Sequence, residues 1–313
     1  MKQYTYKKIY NTKVIVIFLI LLLQQCTTPY EQKSFNLKKS PYTTWEEIFK
    51  NRKEVTLTTI ITGKILANKS ALINLKLDAS KKNKNSEMMV PVFSHLIQHY
   101  AKGYFLIGAG LDRSYEKKMY GKFKGLFRKS YLLPGIQNKN ENVKAFLTKK
   151  RISIKGIFYS HLQFSQYAGL IDLQKIKLHF VHRMESAQFR KCIFYGDHFD
   201  TVDSMTLLRF DHAYKFPLVG KAIDIFNDNS IWAIYTPGYS DGHISYLING
   251  KKDIYLIAGG AIPIVENLKT GIGPGSIAQN IKLAQSTLKR LITFLNTYHK
   301  IKVVCGYELL QTK

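Results

Sequence analysis

Carboxylates are scarce in this chain. Its 313 residues hold 21 Asp and Glu against 47 Lys and Arg, a formal net charge of +26 at pH 7. The excess of cations is either a solvated, lysine-rich surface or an affinity for anionic partners such as lipid headgroups, acidic glycans or nucleic acid. Lysine is scattered and no single helix carries a basic stripe, so nucleic acid is not an expected partner. Cysteine is also scarce. Three residues, Cys26, Cys192 and Cys305, cannot build a disulfide framework, and the last two either pair or stay as buried thiols. No tandem repeat, coiled coil or long low-complexity tract interrupts the chain. The run Gly271–Gly275 (GIGPG) lacks the following Lys-Ser/Thr that a phosphate loop needs. What is present is a 45% hydrophobic, 13% aromatic composition, enough to bury one large core.

The N-terminal segment reads separately. Lys7, Lys8 and Lys13 precede the apolar run Val14–Leu23 (VIVIFLILLL), which is short for a bilayer span and matches a signal-peptide core. The Leu23-Gln24-Gln25-Cys26 that follows resembles a bacterial lipoprotein signal, with Gln25 where a small residue is usual. The resemblance implies lipidation at Cys26, a membrane held through that lipid, and a place in the bacterial cell envelope. An uncleaved signal anchor and plain secretion stay open. Residues 1–26 are thus expected as the signal, 27–45 as a polar tether with two prolines, and 46–313 as one domain.

Within the domain, Val55, Leu57, Thr59 and Ile61 alternate as a strand, and the pattern is expected to continue through Leu72–Leu75. Further strands are expected at Val90–His99, Tyr104–Leu111, Lys177–His182, Thr206–Leu208, Ala222–Phe226, Ile231–Tyr235, Tyr255–Ala261 and Lys302–Tyr307. Helices are expected at Glu141–Lys149, Glu185–Lys191 and, most regular, Ile277–Tyr298, where Ile281, Ala284, Leu288, Leu291 and Leu295 share a face. A strand from Ile152 to Phe158 delivers Ser160-His161-Leu162-Gln163-Phe164-Ser165-Gln166 into a polar turn.

That turn resembles the T-H-x-H-x-D-H motif of the metallo-β-lactamase superfamily, closest to its lactonase-like hydrolases. Three further frames follow in the same order: Thr236-Pro237-Gly238-Tyr239-Ser240-Asp241-Gly242-His243 for T-P-G-H-T-x-G-H, Gly259-Gly260-Ala261 for G-D-A, and Gly306-Tyr307 for a final G-H. Gly108-Ala109-Gly110-Leu111 stands for the family's D-x-G-L. The resemblance implies an α/β fold, a four-layer αββα sandwich, over roughly residues 54–310. It also implies a metal site from which most ligands have gone. His161 is kept. Gln163, Ser165, Gln166, Tyr239, Gly260 and Tyr307 replace the other ligands, and His243 matches a histidine of structural role. Amides, phenols and glycine make a poor Zn²⁺ site. The expected cofactor is therefore none, with a single Zn²⁺ or similar ion as the alternative.

The loops keep their shaping Gly and Pro while losing ligands, which implies a catalytically inactive protein acting by binding. Its candidate pocket is His161, Gln163, Gln166, Tyr239 and Tyr307. Two alternatives remain. One is a lactone- or ester-type hydrolase with a rebuilt mononuclear or metal-free site, drawing on His161 with His179, His182, His198 or His212. The other is a basic surface lipoprotein adhering to anionic glycans or lipids.

Overall fold

The computed structural model describes residues 30–78, 84–125, 128–188 and 196–309. The signal segment, Cys26 and Cys192 lie outside the described residues. Strands β1 (Glu31–Ser34), β2 (Val55–Asn68), β3 (Glu87–His99), β4 (Gly103–Ile107), β5 (Gly135–Ile136), β6 (Ile154–Phe158), β7 (Leu178–His182) and β8 (Ser204–Leu208) form one sheet in the order β1-β8-β7-β6-β4-β3-β2-β5. Strands β9 (Tyr214–Phe216), β10 (Gly220–Asp224), β11 (Ile231–Tyr235), β12 (Ile244–Asn249), β13 (Ile254–Gly259) and β14 (Ile301–Cys305) form the second, in the order β14-β13-β12-β11-β10-β9. The helices that matter below are α1 (Trp45–Lys50), α2 (Val143–Lys150), α3 (Phe164–Tyr167), α4 (Arg183–Gln188), α5 (Val265–Thr270) and α6 (Ile281–Thr297).

The layering follows from which side chains alternate to which face. In β11, Trp232 and Ile234 pack outward with α1 and α6 residues such as Trp45, Leu288 and Phe294, while Ile231 and Ala233 face the other sheet. In β4 and β6, Phe105, Ile107 and Phe158 point between the sheets, and Leu106 and Ile157 point outward to Leu147 of α2 and Phe164 of α3. Helix, sheet, sheet and helix therefore stack around three apolar layers, the αββα sandwich. Because both faces of the central strands are covered, IWAIY at 231–235 reads as a continuous apolar run.

Five expectations change. The stretch expected as a tether is structured from Tyr30: that ring is buried against Phe199 (5.6 Å between centroids), and Glu31–Ser34 pairs in parallel with β8. The strand expected through Leu72–Leu75 is a helical turn, Lys69–Leu72, then a 3₁₀ turn, Leu75–Leu77. The long helix begins at Ile281 rather than Ile277, because the Asn280 side chain caps it by accepting from Leu283 N at 3.0 Å. The shorter helix likewise starts at Val143, behind an Asn142 cap. The helix expected at 185–191 runs from Arg183 to Gln188, and 189–191 lie outside the described residues.

Candidate functional site

The polar turn after β6 meets the 236–243 loop and the ends of β13 and β14 at one edge of the two sheets. Ile244 N donates to Ser160 O at 2.8 Å and Gly306 N to Ile262 O at 2.9 Å, which fixes these loops against each other. All five residues of the sequence-derived pocket arrive here. The Tyr239 hydroxyl donates to Gln163 Oε1 at 2.9 Å and lies 2.9 Å from the Tyr307 hydroxyl. Ser160 Oγ donates to Gln166 Oε1 at 3.2 Å and sits 2.9 Å from His161 Nδ1. With the serine proton committed to Gln166, His161 Nδ1 is the donor to Ser160 and its Nε2 is a bare acceptor. That buried Nε2 has no hydrogen-bond partner. His243 is held at both nitrogens: Nε2 accepts from Gly260 N at 2.9 Å, so Nδ1 donates to Thr236 Oγ1 at 2.8 Å.

The cluster is neutral. Burial pushes His161 down to about 3, with the neighbouring Gln163 amide opposing in part. His243 is held well below the usual imidazole range by burial and then by His161. Burial raises Tyr239 well above the usual phenol range, and raises Tyr307 too. Neither phenol is available as phenolate. Cys305, which lines the same space, is pushed up to about 12 by burial and stays a thiol. The nearby carboxylate is Glu185 of α4. Burial raises its pKa, opposed by hydrogen bonds from Ser240, Leu162 N and Gly242 N. It accepts Leu162 N at 2.8 Å and Gly242 N at 3.2 Å, so it clamps the two loops together. Nothing in the sequence marks Glu185 for this role; it acts through a distance of more than 20 residues to either loop.

Two glycines show where the missing ligand volume went. A Cβ on Gly260 would lie 2.3 Å from Tyr239 Cγ, so the tyrosine ring fills the place an aspartate there would need. A Cβ on Gly108 (φ +69°) would lie 2.6 Å from Gln166 Oε1, so the amide fills the second. The remaining cavity, lined by His95, His161, Gln166 and Tyr307 among others, has a volume of about 20 Å³, space for one water.

The spare histidines do not assemble. His179 is satisfied by the Tyr159 hydroxyl (2.9 Å) and Ile176 O (3.0 Å). His182 stacks on Phe210 and Tyr235. His198 lies 3.8 Å from Asp112, on the outer face of the first sheet. Among the described residues no group of three or more His, Cys, Asp or Glu could hold a metal ion.

No protein-family profile matches the chain, and no curated protein matches it in sequence. Solved structures do. A quorum-quenching N-acyl homoserine lactone hydrolase superposes with a TM-score of 0.61 at 19% identity, covering 84% of this chain and 96% of that one. A quorum-quenching N-acyl homoserine lactone lactonase gives 0.59 at 20% identity, with 84% and 96% covered. A probable metal-dependent hydrolase from Staphylococcus aureus gives 0.56 at 14% identity, with 82% and 90% covered. The chain has the metallo-β-lactamase fold.

On that fold the ligand positions are the ones described above, and the residues present do not fit a divalent ion. The carboxylate positions are glycine or serine, the imidazole positions other than His161 are neutral amides or phenols, and the space between them is occupied by protein. Zn²⁺ wants imidazoles and anionic donors with an open coordination position. Here one buried imidazole remains, and the donor set around it carries no charge.

Proposed function

We propose that this chain is a membrane-held, non-hydrolytic member of the metallo-β-lactamase fold, which acts by binding an anionic partner at its surface. One observation carries the reading: the Tyr239 ring occupies the space where an aspartate at position 260 would stand, and the Gln166 amide fills the space beside Gly108. Replacing charged ligands by neutral side chains that satisfy one another turns a reaction centre into a structural core. A cavity of about 20 Å³ has no room for an organic substrate, which favours recognition on the outside of the domain. The net charge of +26 sets the sign of the partner. Lipidation at Cys26 would hold the domain at the cell envelope.

The test is metal content and activity together. The full chain, purified in detergent, is exposed to Zn²⁺, Mn²⁺ and Fe²⁺, desalted and analysed by mass spectrometry. Binding of each should stay below about 0.1 equivalent, as expected for a neutral amide and phenol set. One or two tightly held equivalents, with chelator-sensitive hydrolysis of lactones, thioesters or β-lactams, would overturn the proposal in favour of a rebuilt hydrolase.

A further inference from the structure

The edge of the first sheet opposite the sealed site is built differently. β4, β6, β7, β8 and β1 run parallel, so their N-terminal ends share one edge and the sealed site lies past their C-terminal ends. Between the end of α2, the start of β6 and the connection before β7 lies a groove of about 160 Å³. Leu147, Leu173 and Ile176 form its apolar floor, and Lys144, Arg151 and Lys175 stand at its rim. Lys155 and Lys177 are exposed on the same edge. Of the acids near this edge, Asp203 pairs with Lys175 at 2.7 Å, Glu31 with Lys33 at 3.2 Å and Asp228 with His99 at 2.9 Å, and Asp172 accepts from Arg113 N. Lys144, Arg151 and Lys177 form no ion pair among the described residues.

The chain reaches the N-terminal segment from this same edge. Glu31 N donates to Asp203 O at 2.8 Å, beside the Lys175–Asp203 pair. Cys26 lies four residues before Tyr30, a reach of at most about 14 Å. A lipid on Cys26 would therefore bring this edge within one to two Debye lengths (~8 Å each) of a bilayer surface. Cations around an apolar floor suit an amphipathic anion, whose phosphate takes the rim and whose glycerol region takes the floor.

We propose that this edge docks on a membrane surface bearing anionic phospholipid headgroups, and that the groove seats one lipid phosphate. The proposal deepens the reading of a membrane-held binding protein and rests on it for the anchor. Its test uses neither the anchor nor the metal assay, so the two can fail separately. Among the described residues all three core clusters begin at or after Tyr30, so a chain starting at Thr27 keeps each of them, and its melting curve checks that it folds.

That protein is mixed with vesicles of phosphatidylcholine alone, or with about one-third phosphatidylglycerol, and bound protein is read by co-sedimentation. Each cation at an anionic surface should contribute roughly fivefold, so K144Q/R151N/K177Q should lose about 100-fold in partition onto the anionic vesicles. The variant K269Q/K282Q/K289Q removes the same charge from exposed positions on α5 and α6 and should lose less than about threefold, since those charges lie beyond screening distance. Melting curves check that both variants are folded. Equal losses in the two variants would overturn the proposal in favour of diffuse charge. Absence of binding to anionic vesicles would overturn it outright. Displacement by inorganic phosphate at matched ionic strength would reassign the groove to a free anion.

Discussion

At the C-terminal edge of the first sheet, Tyr239, Tyr307, His161 and His243 are buried, neutral and hydrogen-bonded to one another or to their loops. At the N-terminal edge, Arg151, Lys155, Lys175 and Lys177 are exposed and charged around an open groove. The parallel strands are the same, yet one end holds a closed core and the other a solvated cationic rim. The contrast teaches where to look for function on this fold. An edge whose neutral groups satisfy one another contributes stability, and the edge with unpaired charge is the one where we propose recognition.

The largest expected effect is on acid stability. His95 and His161 are pushed down to about 3 by burial, and His243 lies well below its usual value. For each, the folded-state pKa is below that of the unfolded chain. The unfolded chain therefore takes up protons the folded one refuses, and stability is lost as pH falls below about 6.5, by up to ~1.4 kcal/mol per pH unit per imidazole. Asp224, raised to about 6 by burial, and Glu185 and Asp172, also raised, act with the opposite sign, but His179 and His182 are pushed down to about 4 by burial, so three carboxylates stand against five imidazoles. Urea unfolding between pH 7 and pH 5 should show a steep decline, and H161Q should flatten the slope by about one proton. A flat profile would mean that these imidazoles are charged in the fold, and the picture of a neutral edge would break.

Next is Gly260→Ala. Its Cβ would meet the Tyr239 ring at 2.3 Å, and the expected loss is about 3 kcal/mol or more by urea unfolding. In a Y239A background the same change should cost under about 1 kcal/mol, because the obstructing ring is gone. A full cost in both backgrounds would show that Tyr239 does not fill the ligand space. Tyr239→Phe is milder: it removes the hydroxyl shared by Gln163 and Tyr307, and should cost roughly 1–2 kcal/mol by the same measurement. Smallest is Lys177→Gln at the open edge, which should leave the thermal midpoint unchanged while weakening vesicle partition. A drop in midpoint would make that edge structural.

The fold was largely legible because its signals are local and periodic. The 55–61 alternation, the IWAIY run and the face of α6 each report the burial pattern that forms them. Leu72–Leu75 was misread because a short apolar run has no period of its own. The site was legible in part. His161, Gln163, Gln166, Tyr239 and Tyr307 stand at motif positions and do meet in space. The sequence could not report that Gly260 is empty because Tyr239 fills it, or that Glu185 joins the two loops, since each depends on residues brought together from distant segments.

By itself the sequence determined most of the central strands, the long C-terminal helix, amides, phenols and glycine at the motif positions, and an excess of cations. These are properties of residue type and local period, and the chain carries them before it folds. Only the tertiary structure decided that the side chains at the motif positions hydrogen-bond to one another around a cavity of about 20 Å³. It alone also gathered the scattered lysines into a groove beside the point where the N-terminal segment joins the domain. Both outcomes depend on which side chains share a volume, and packing fixes that only once both sheets are in place.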